Sequence, residues 1–137
     1  MTTTTTLTFA LMDPPYETER STTALRLIEI ALRRGYHVKV FAYEGAVYLP
    51  FLAQKPHANA AHGRDVEEEN HLMTSTVISE LFGLAEAKGC TLEWVNCGLC
   101  VDERGAFEAV GGVRRGSPAD FLAFAKASDN TLVIGTR

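Results

Sequence analysis

The sequence contains no hydrophobic run that approaches the length of a membrane-spanning helix. Crossing a bilayer takes roughly 20 consecutive apolar residues, and the apolar stretches of this 137-residue chain are much shorter. Basic residues are also scarce, with 13 Lys and Arg against 17 Asp and Glu and a net charge of −4. Because nucleic-acid binding requires clustered Lys and Arg, we expect neither a nucleic acid nor a membrane as a direct partner.

Cysteine is rare as well, and the chain has three, an odd number. The N-terminal segment lacks the basic residues and the long apolar core of a secretory signal peptide. Reduced thiols in a cytoplasmic protein are therefore the expectation, since stable disulfides belong mainly to exported proteins. A hydrophobic fraction of 46% is typical of a globular protein, and we expect one domain over residues 1–137.

The chain does contain an alternation of strand-like and helix-like segments. Strands are predicted over residues 4–12, 37–42, 90–95 and 131–134, with a short extended piece within 111–116. Apolar residues at helical spacing predict helices after residue 18, over residues 75–88 and after Ser117, which has the residue pattern of a helix cap. Strands that alternate with helices pair in parallel, so the sequence predicts an α/β fold.

Polar or reactive side chains follow three of the predicted strands. They are Asp13 and Tyr16 after the first strand, Tyr43 and Glu44 after the second, and Cys97 and Cys100 after a later one. In open parallel sheets, ligands bind outside the carboxyl ends of the strands, which share one edge. The pattern therefore predicts that these three sets lie on one rim of the sheet.

The segment Cys97-Gly98-Leu99-Cys100 lies between a predicted strand and a helix expected over residues 101–110. A helix N-terminus carries exposed N–H groups and a partial positive charge, which would lower the pKa of a thiol placed there. Asp102 and Glu103 would oppose this effect and Arg104 would support it, so the residues leave the net shift open. Our hypothesis is that Cys100 is a reactive thiol.

The CxxC spacing of this segment has several chemical uses. A second CxxC is absent from the sequence, which argues against a structural zinc site. A thioredoxin-like redox pair, a persulfide carrier and an inert buried pair all remain open. Cys90, at the start of a predicted strand, is expected to be a small buried packing residue.

Residues 54–70 are the least regular part of the chain and predict a long loop or flap near the site. His57, His62 and the acidic residues 67–69 could together supply ligands for a metal ion. Their spacing matches no zinc signature. We therefore expect ordinary loop histidines, no metal and no cofactor.

Two stretches of the sequence resemble a known family. Cys100-Val101 followed by Asp102-Glu103-Arg104-Gly105 resembles the conserved-cysteine segment of the DsrE/TusD-like (DsrEFH-like) sulfur-transfer proteins. Gly112-Val113 and the later Gly116-Ser117-Pro118-Ala119-Asp120-Phe121 resemble the family's stretch before its last helix. The βαβ opening with a polar break after the first strand is similar too, and the resemblance covers most of the chain apart from residues 57–71.

The resemblance implies a flavodoxin-like three-layer α/β/α sandwich around a mostly parallel five-stranded sheet. It also implies a sulfurtransferase-like protein in which Cys100 carries sulfane sulfur as a persulfide between donor and acceptor proteins, with Cys97 as an auxiliary thiol. A cytoplasmic homo-oligomer, a trimer or hexamer, is expected. The candidate residues of the surrounding rim are Asp13, Tyr16, Tyr43, His62 and Arg104.

Two other functions fit the same residues. A CxxC pair can exchange between dithiol and disulfide without carrying sulfur. Alternatively, the fold can serve as a non-enzymatic module for small-molecule binding or assembly, in which case the thiols would have no part in its function.

Overall fold

The computed structural model describes residues 4–57, 63–69 and 72–135, and in this part of the chain five parallel strands form one sheet in the order β4-β3-β2-β1-β5. The strands are β1 (Thr6–Leu11), β2 (His37–Ala42), β3 (Leu92–Cys97), β4 (Val113–Gly116) and β5 (Asn130–Ile134). The helices are α1 (Arg20–Arg33), α2 (Val66–Glu69), α3 (Thr74–Lys88), α4 (Gly98–Arg104) and α5 (Pro118–Lys126). A 3₁₀ turn (Glu44–Tyr48) follows β2.

One face of the sheet is covered by α1 and α3, which also pack against each other. The apolar stripe of α1 recurs at helical spacing, so Leu25, Ile28 and Leu32 all face the sheet and are buried. Trp94 of β3 fills the centre of this layer, and its indole N–H donates to Asn96 Oδ1 at 3.1 Å. The buried indole thereby keeps a hydrogen-bond partner.

The other face of the sheet is covered by α5. Phe124 of this helix is buried against Phe41 of β2 and Val95 of β3. The helix begins with the predicted cap: the Ser117 hydroxyl accepts a hydrogen bond from Ala119 N–H, and Asp120 Oδ2 accepts one from Ser117 N–H at 2.9 Å. Helices on both faces confirm the predicted three-layer α/β/α sandwich.

The chain order explains this layering. From β1 to β4 the strands are added in one direction across the sheet, and β5 then returns to the other side of β1. Since crossovers between parallel strands are right-handed, the reversal places α5 on the face opposite α1 and α3. The carboxyl ends of all these strands share one edge, which we call the carboxyl rim.

The structure differs from the prediction in the bounds of β3 and in the predicted loop. β3 begins at Leu92 and reaches Cys97, two residues later than the predicted segment 90–95. The predicted loop contains a short helix, α2, within its described residues.

No described helix is both long enough and apolar enough to cross a bilayer.

Truncating Ile28 should test the assigned orientation of α1. Ile28 is fully buried against the sheet, whereas Ile30 on the same helix is 49% exposed. We expect Ile28→Ala to lower the free energy of unfolding by about 2–5 kcal/mol, because it leaves a cavity under the helix. Urea unfolding followed by circular dichroism measures this loss. Ile30→Ala is the matched control, and equal losses in the two variants would contradict the orientation.

Candidate functional site at the carboxyl rim

The helix that carries the reactive-thiol candidate begins earlier than predicted. Cys97 is the N-cap residue of α4, and Cys100 occupies the third helical position. The helix stops at Gly105, whose φ of 69° lies in the left-handed region that glycine accepts. The expected helix over residues 101–110 is therefore wrong, and Cys100 lies within the first helical turn rather than before it.

The two cysteines of the CxxC segment differ in exposure. Cys97 is only 6% exposed and packs with Phe41, Val95 and Phe124 under α5. Cys100 is half-buried and borders the same cluster from the rim. The two cysteines are therefore neighbours in one cluster of side chains. One sulfur is thus enclosed and its neighbour faces the rim, as the placement of a reactive thiol requires.

A backbone group from another element contacts the sulfur of Cys100. The Glu44 N–H, at the start of the 3₁₀ turn, donates to Cys100 Sγ across 3.1 Å. Glu44 has a φ of 51°, in the left-handed region that is uncommon for residues other than glycine. Glu44 and Cys100 therefore lie on one rim, as predicted. The backbone N–H of Glu44, and not its carboxylate, makes the contact with the sulfur.

The pKa of Cys100 shifts in the direction opposite to the one expected at a helix N-terminus. Burial raises the pKa of the Cys100 thiol, and the hydrogen bond and charge of Cys97 raise it further. The Glu44 N–H and the charge of Arg104 lower it without reversing the net rise. A raised pKa reduces the thiolate fraction at neutral pH, while each thiolate that forms is a stronger nucleophile.

Arg115 of β4 fastens the first turn of α4 to the sheet. Its Nη2 donates to Gly98 O at 3.1 Å and to Asp102 Oδ2 at 3.0 Å. This guanidinium lowers the pKa of the exposed Asp102 carboxyl below its usual range. Asp102 is the fifth residue of α4, because the helix begins three residues earlier than predicted.

Tyr43 and Arg104, two of the predicted rim residues, lie beside the thiols. Tyr43 stacks on Phe41 with ring centroids 5.5 Å apart and packs in the same cluster as Cys100. Burial and the neighbouring Glu44 charge raise the pKa of the Tyr43 phenol. Arg104 pairs with Glu103 at 3.7 Å, and its carbonyl accepts a hydrogen bond from the Tyr48 hydroxyl.

The remaining rim candidates contact other elements. Asp13 is 3% exposed, and its Oδ2 accepts a hydrogen bond from Thr18 Oγ1 at 2.8 Å, just before α1. The Tyr16 hydroxyl accepts a hydrogen bond from Thr74 N–H at the start of α3. These contacts connect the segment after β1 to the helices of the α1/α3 layer. His62 lies outside the described residues.

Within the described ranges, no three His, Cys, Asp or Glu side chains are grouped as metal ligands would be. His57 instead meets the ring of Tyr16 edge-on, with centroids 5.7 Å apart. The chemistry that the described rim presents is therefore that of two neighbouring thiols, a peptide N–H and an arginine.

Residues 6–134 of the sequence match the DsrE/DsrF-like family. The chain belongs to the DsrE/DsrF-like family. Among its relatives, the uncharacterized protein MJ0989 of Methanocaldococcus jannaschii is 31% identical over 93% of this chain and 97% of its own length. The uncharacterized protein MK0008 of Methanopyrus kandleri is 30% identical over 92% of this chain and 91% of its own. The resemblance deduced from the cysteine segment is thus confirmed.

Solved structures show the same fold. The ychN protein of E. coli superposes with a TM-score of 0.71 at 18% identity, covering 96% of this chain and 99% of its own. The conserved protein BT1422 of Bacteroides thetaiotaomicron, whose function is described as unknown, gives a TM-score of 0.57 at 13% identity. That match covers 94% of this chain and 94% of BT1422. The DsrE-like α/β architecture is therefore shared at low sequence identity.

The sequence patterns did not predict two groups that lie beside the thiols of this DsrE/DsrF-like protein. The Glu44 N–H is a backbone donor, and no side-chain motif marks such a group. Arg115 lies 15 residues beyond Cys100 in the chain and reaches α4 only because β4 pairs with β3. In the sequence, Arg114-Arg115 is only a short basic run, which does not indicate a contact with α4.

The Arg115–Asp102 pair can be tested by titration. We expect Arg115→Gln to raise the pKa of the Asp102 carboxyl toward its ordinary value, because the main group that lowers it is removed. Carboxyl chemical shifts followed by NMR against pH measure this change.

Arg114→Gln is the matched control for that titration. Arg114 pairs with Asp120 at 3.2 Å, so its loss should raise the pKa of Asp120 and leave that of Asp102 unchanged. An Asp102 titration that is the same in wild type and Arg115→Gln would contradict the assigned pair.

Proposed function

We propose that this protein relays sulfane sulfur between partner proteins as a persulfide on Cys100, as a cytoplasmic sulfurtransferase-like carrier. One observation supports this most directly: the Cys100 sulfur faces the carboxyl rim from α4, with a backbone N–H directed at it. Family membership adds to the support, because the cysteine lies in the segment that resembles the sulfur-transfer proteins. No cofactor is needed for this chemistry.

The transfer is two nucleophilic displacements at sulfur. The Cys100 thiolate attacks the outer sulfur of a donor persulfide, a Cys100 S–S bond forms, and the donor S–S bond breaks with release of the donor thiolate. An acceptor thiolate then attacks the outer sulfur of the Cys100 persulfide, and Cys100 leaves as a thiolate. The sulfur and its proton move together, so no external oxidant or reductant enters.

Cys97 is proposed as an auxiliary thiol. It is buried under α5, in the cluster that Cys100 borders. If the Cys97 thiolate attacks the inner sulfur of a Cys100 persulfide, a Cys97–Cys100 disulfide forms and hydrosulfide leaves. Sulfur left without an acceptor would thereby be discharged, and an external thiol would be needed to reduce the disulfide.

The surface around α4 suits a protein partner. Leu99, directly before Cys100, is 71% exposed, and Phe107 after the helix is also exposed. Exposed apolar side chains beside a reactive group are commonly covered by a docking partner. We also propose a homo-oligomer, a trimer or hexamer, for which the exposed Leu122 and Val133 of the α5 face offer apolar contact area.

Sulfur loading should be visible in the mass of the intact protein. After incubation with polysulfide or a persulfidated donor protein, we expect a gain of one or more sulfur atoms that a reducing agent removes. Cys100→Ser should abolish this gain, because the accepting sulfur is lost.

Cys90→Ser is the matched control for the mass measurement, since Cys90 is buried beneath the α1/α3 layer. It should load sulfur as the wild type does. Loading that survives in Cys100→Ser would refute the assignment of the carrier, and so would loading that is lost equally in both variants.

Dithiol–disulfide exchange is the second candidate function, favoured by the position of Cys97 and Cys100 in one cluster at the start of α4. It predicts a reversible Cys97–Cys100 disulfide in the protein equilibrated with glutathione buffers, detected by peptide mapping, and its loss in Cys97→Ser. Sulfur loading of Cys97→Ser on Cys100 would favour the carrier function. A well-defined disulfide potential without sulfur loading would favour exchange.

A further inference from the structure

The backbone of Glu44 is unusual for its residue type. Among the described residues other than glycine, only Tyr16 and Glu44 have a positive φ, and that of Glu44 is 51°. A side chain in this left-handed region meets its own backbone, so the conformation persists only where neighbours impose it. Its location at the thiols, at the end of β2, suggests a role in the site.

The left-handed turn lies directly after a peptide whose N–H points away from the sheet. Tyr43, with an extended backbone, still donates its N–H to Leu11 O at 3.0 Å, in continuation of the sheet. At the next residue the chain leaves the sheet, and the Glu44 N–H donates to Cys100 Sγ at 3.1 Å. The unusual φ therefore coincides with the hydrogen bond to the thiol.

The segment after β1 holds this turn in place. A Cβ on Gly45 would lie 2.9 Å from both Cβ and Cδ of Pro14, closer than real side chains approach. The Ala46 N–H donates to Met12 O at 3.1 Å from the same segment. Pro14 thus packs directly on the peptide that follows Glu44, and only glycine leaves room for that contact.

We propose that the Glu44 N–H is the positioning group for the anionic sulfur of Cys100, and that Pro14 packed on Gly45 fixes its direction. This inference rests on the proposed function only in taking Cys100 as the reactive thiol. A hydrogen bond to a charged acceptor is stronger than one to a neutral acceptor. The donor would therefore stabilise the thiolate both before it attacks and when it leaves.

Other titratable groups lie on the elements packed around Cys100, and the experiment must take them into account. Cys97 and Arg104, from α4 and its N-cap, act on the thiol itself. On the β2 side Tyr43 packs in the same cluster, and the Glu44 carboxylate acts on its phenol. The other members of this cluster carry no charge; they are Phe41, Val95, Phe121 and Phe124.

The pH dependence of Cys100 alkylation by iodoacetamide is the measurement. It is made on the full chain with Cys90→Ser and Cys97→Ser in every variant, so that one thiol reacts. Glu44→Val should slow alkylation at neutral pH about tenfold and move the profile to higher pH, because a β-branched residue does not adopt the left-handed turn. Glu44→Gly accepts that turn without strain and should recover most of the lost rate.

The two Glu44 variants separate the peptide from the carboxylate. Both remove the negative charge, which taken alone would stabilise a nearby thiolate and speed alkylation in both. Equal changes in Glu44→Val and Glu44→Gly would therefore overturn the proposal. Glu86→Val, at an exposed position of α3 on the other face of the sheet, is the control for a β-branched replacement of an acid and should leave the profile in place.

A second pair of variants tests the Pro14–Gly45 contact without altering Glu44. Gly45→Ala introduces the methyl group that Pro14 excludes, and it should slow alkylation in the same way as Glu44→Val. Pro14→Gly, combined with Gly45→Ala, removes the obstructing ring and should restore part of the rate. A Gly45→Ala protein that folds, as judged by its circular dichroism, and alkylates like its parent would contradict the role of the contact.

The outcome is separable from that of the sulfur-loading experiment. If Cys100 takes up no sulfur but its alkylation profile follows the Glu44 and Gly45 variants as described, the carrier function fails and the positioning role stands. If Cys100 loads sulfur but the profile is the same in all variants, the positioning role fails and the carrier function stands.

Discussion

The parallel pairing of the strands is the constraint on which the whole site depends. Parallel strands finish at one edge, so Glu44 after β2 and Cys100 after β3 come together although 56 residues separate them. Parallel pairs also require crossover helices, which bury both faces of the sheet. The packing of α1, α3 and α5 that stabilises the sheet therefore also holds the surroundings of the thiol in place.

The environment of Cys100 combines opposing influences that are consistent with the proposed carrier function. In a relay the same sulfur is first a nucleophile and then a leaving group. A high thiol pKa makes each thiolate a better nucleophile, whereas a low pKa makes it a better leaving group. Burial and Cys97 act in the first direction, and the Glu44 N–H and Arg104 act in the second. Neither the attack by the Cys100 thiolate nor its later departure is then strongly disfavoured.

Sequence patterns predicted those features that depend on local chemistry. The Ser117 cap and the strand His37–Ala42 could be predicted because neighbouring residues determine them. The start of α4 could not, because its N-cap residue, Cys97, supplies no side-chain cap bond that would mark it. The direction of the Cys100 pKa shift depends on burial beside Tyr43 and Phe121, which are distant in the chain and meet only in the folded protein.

The different exposure of the two cysteines supports a division of labour within the proposed function. Displacement at sulfur requires the attacking thiolate to approach along the bond that breaks, so access limits which thiol can react with another protein. Cys97 is buried among Phe41, Val95 and Phe124, and Cys100 borders the same cluster. Cys100 faces the rim beside the exposed Leu99. Exchange with a partner is therefore favoured at Cys100, and Cys97 is left to act within the molecule.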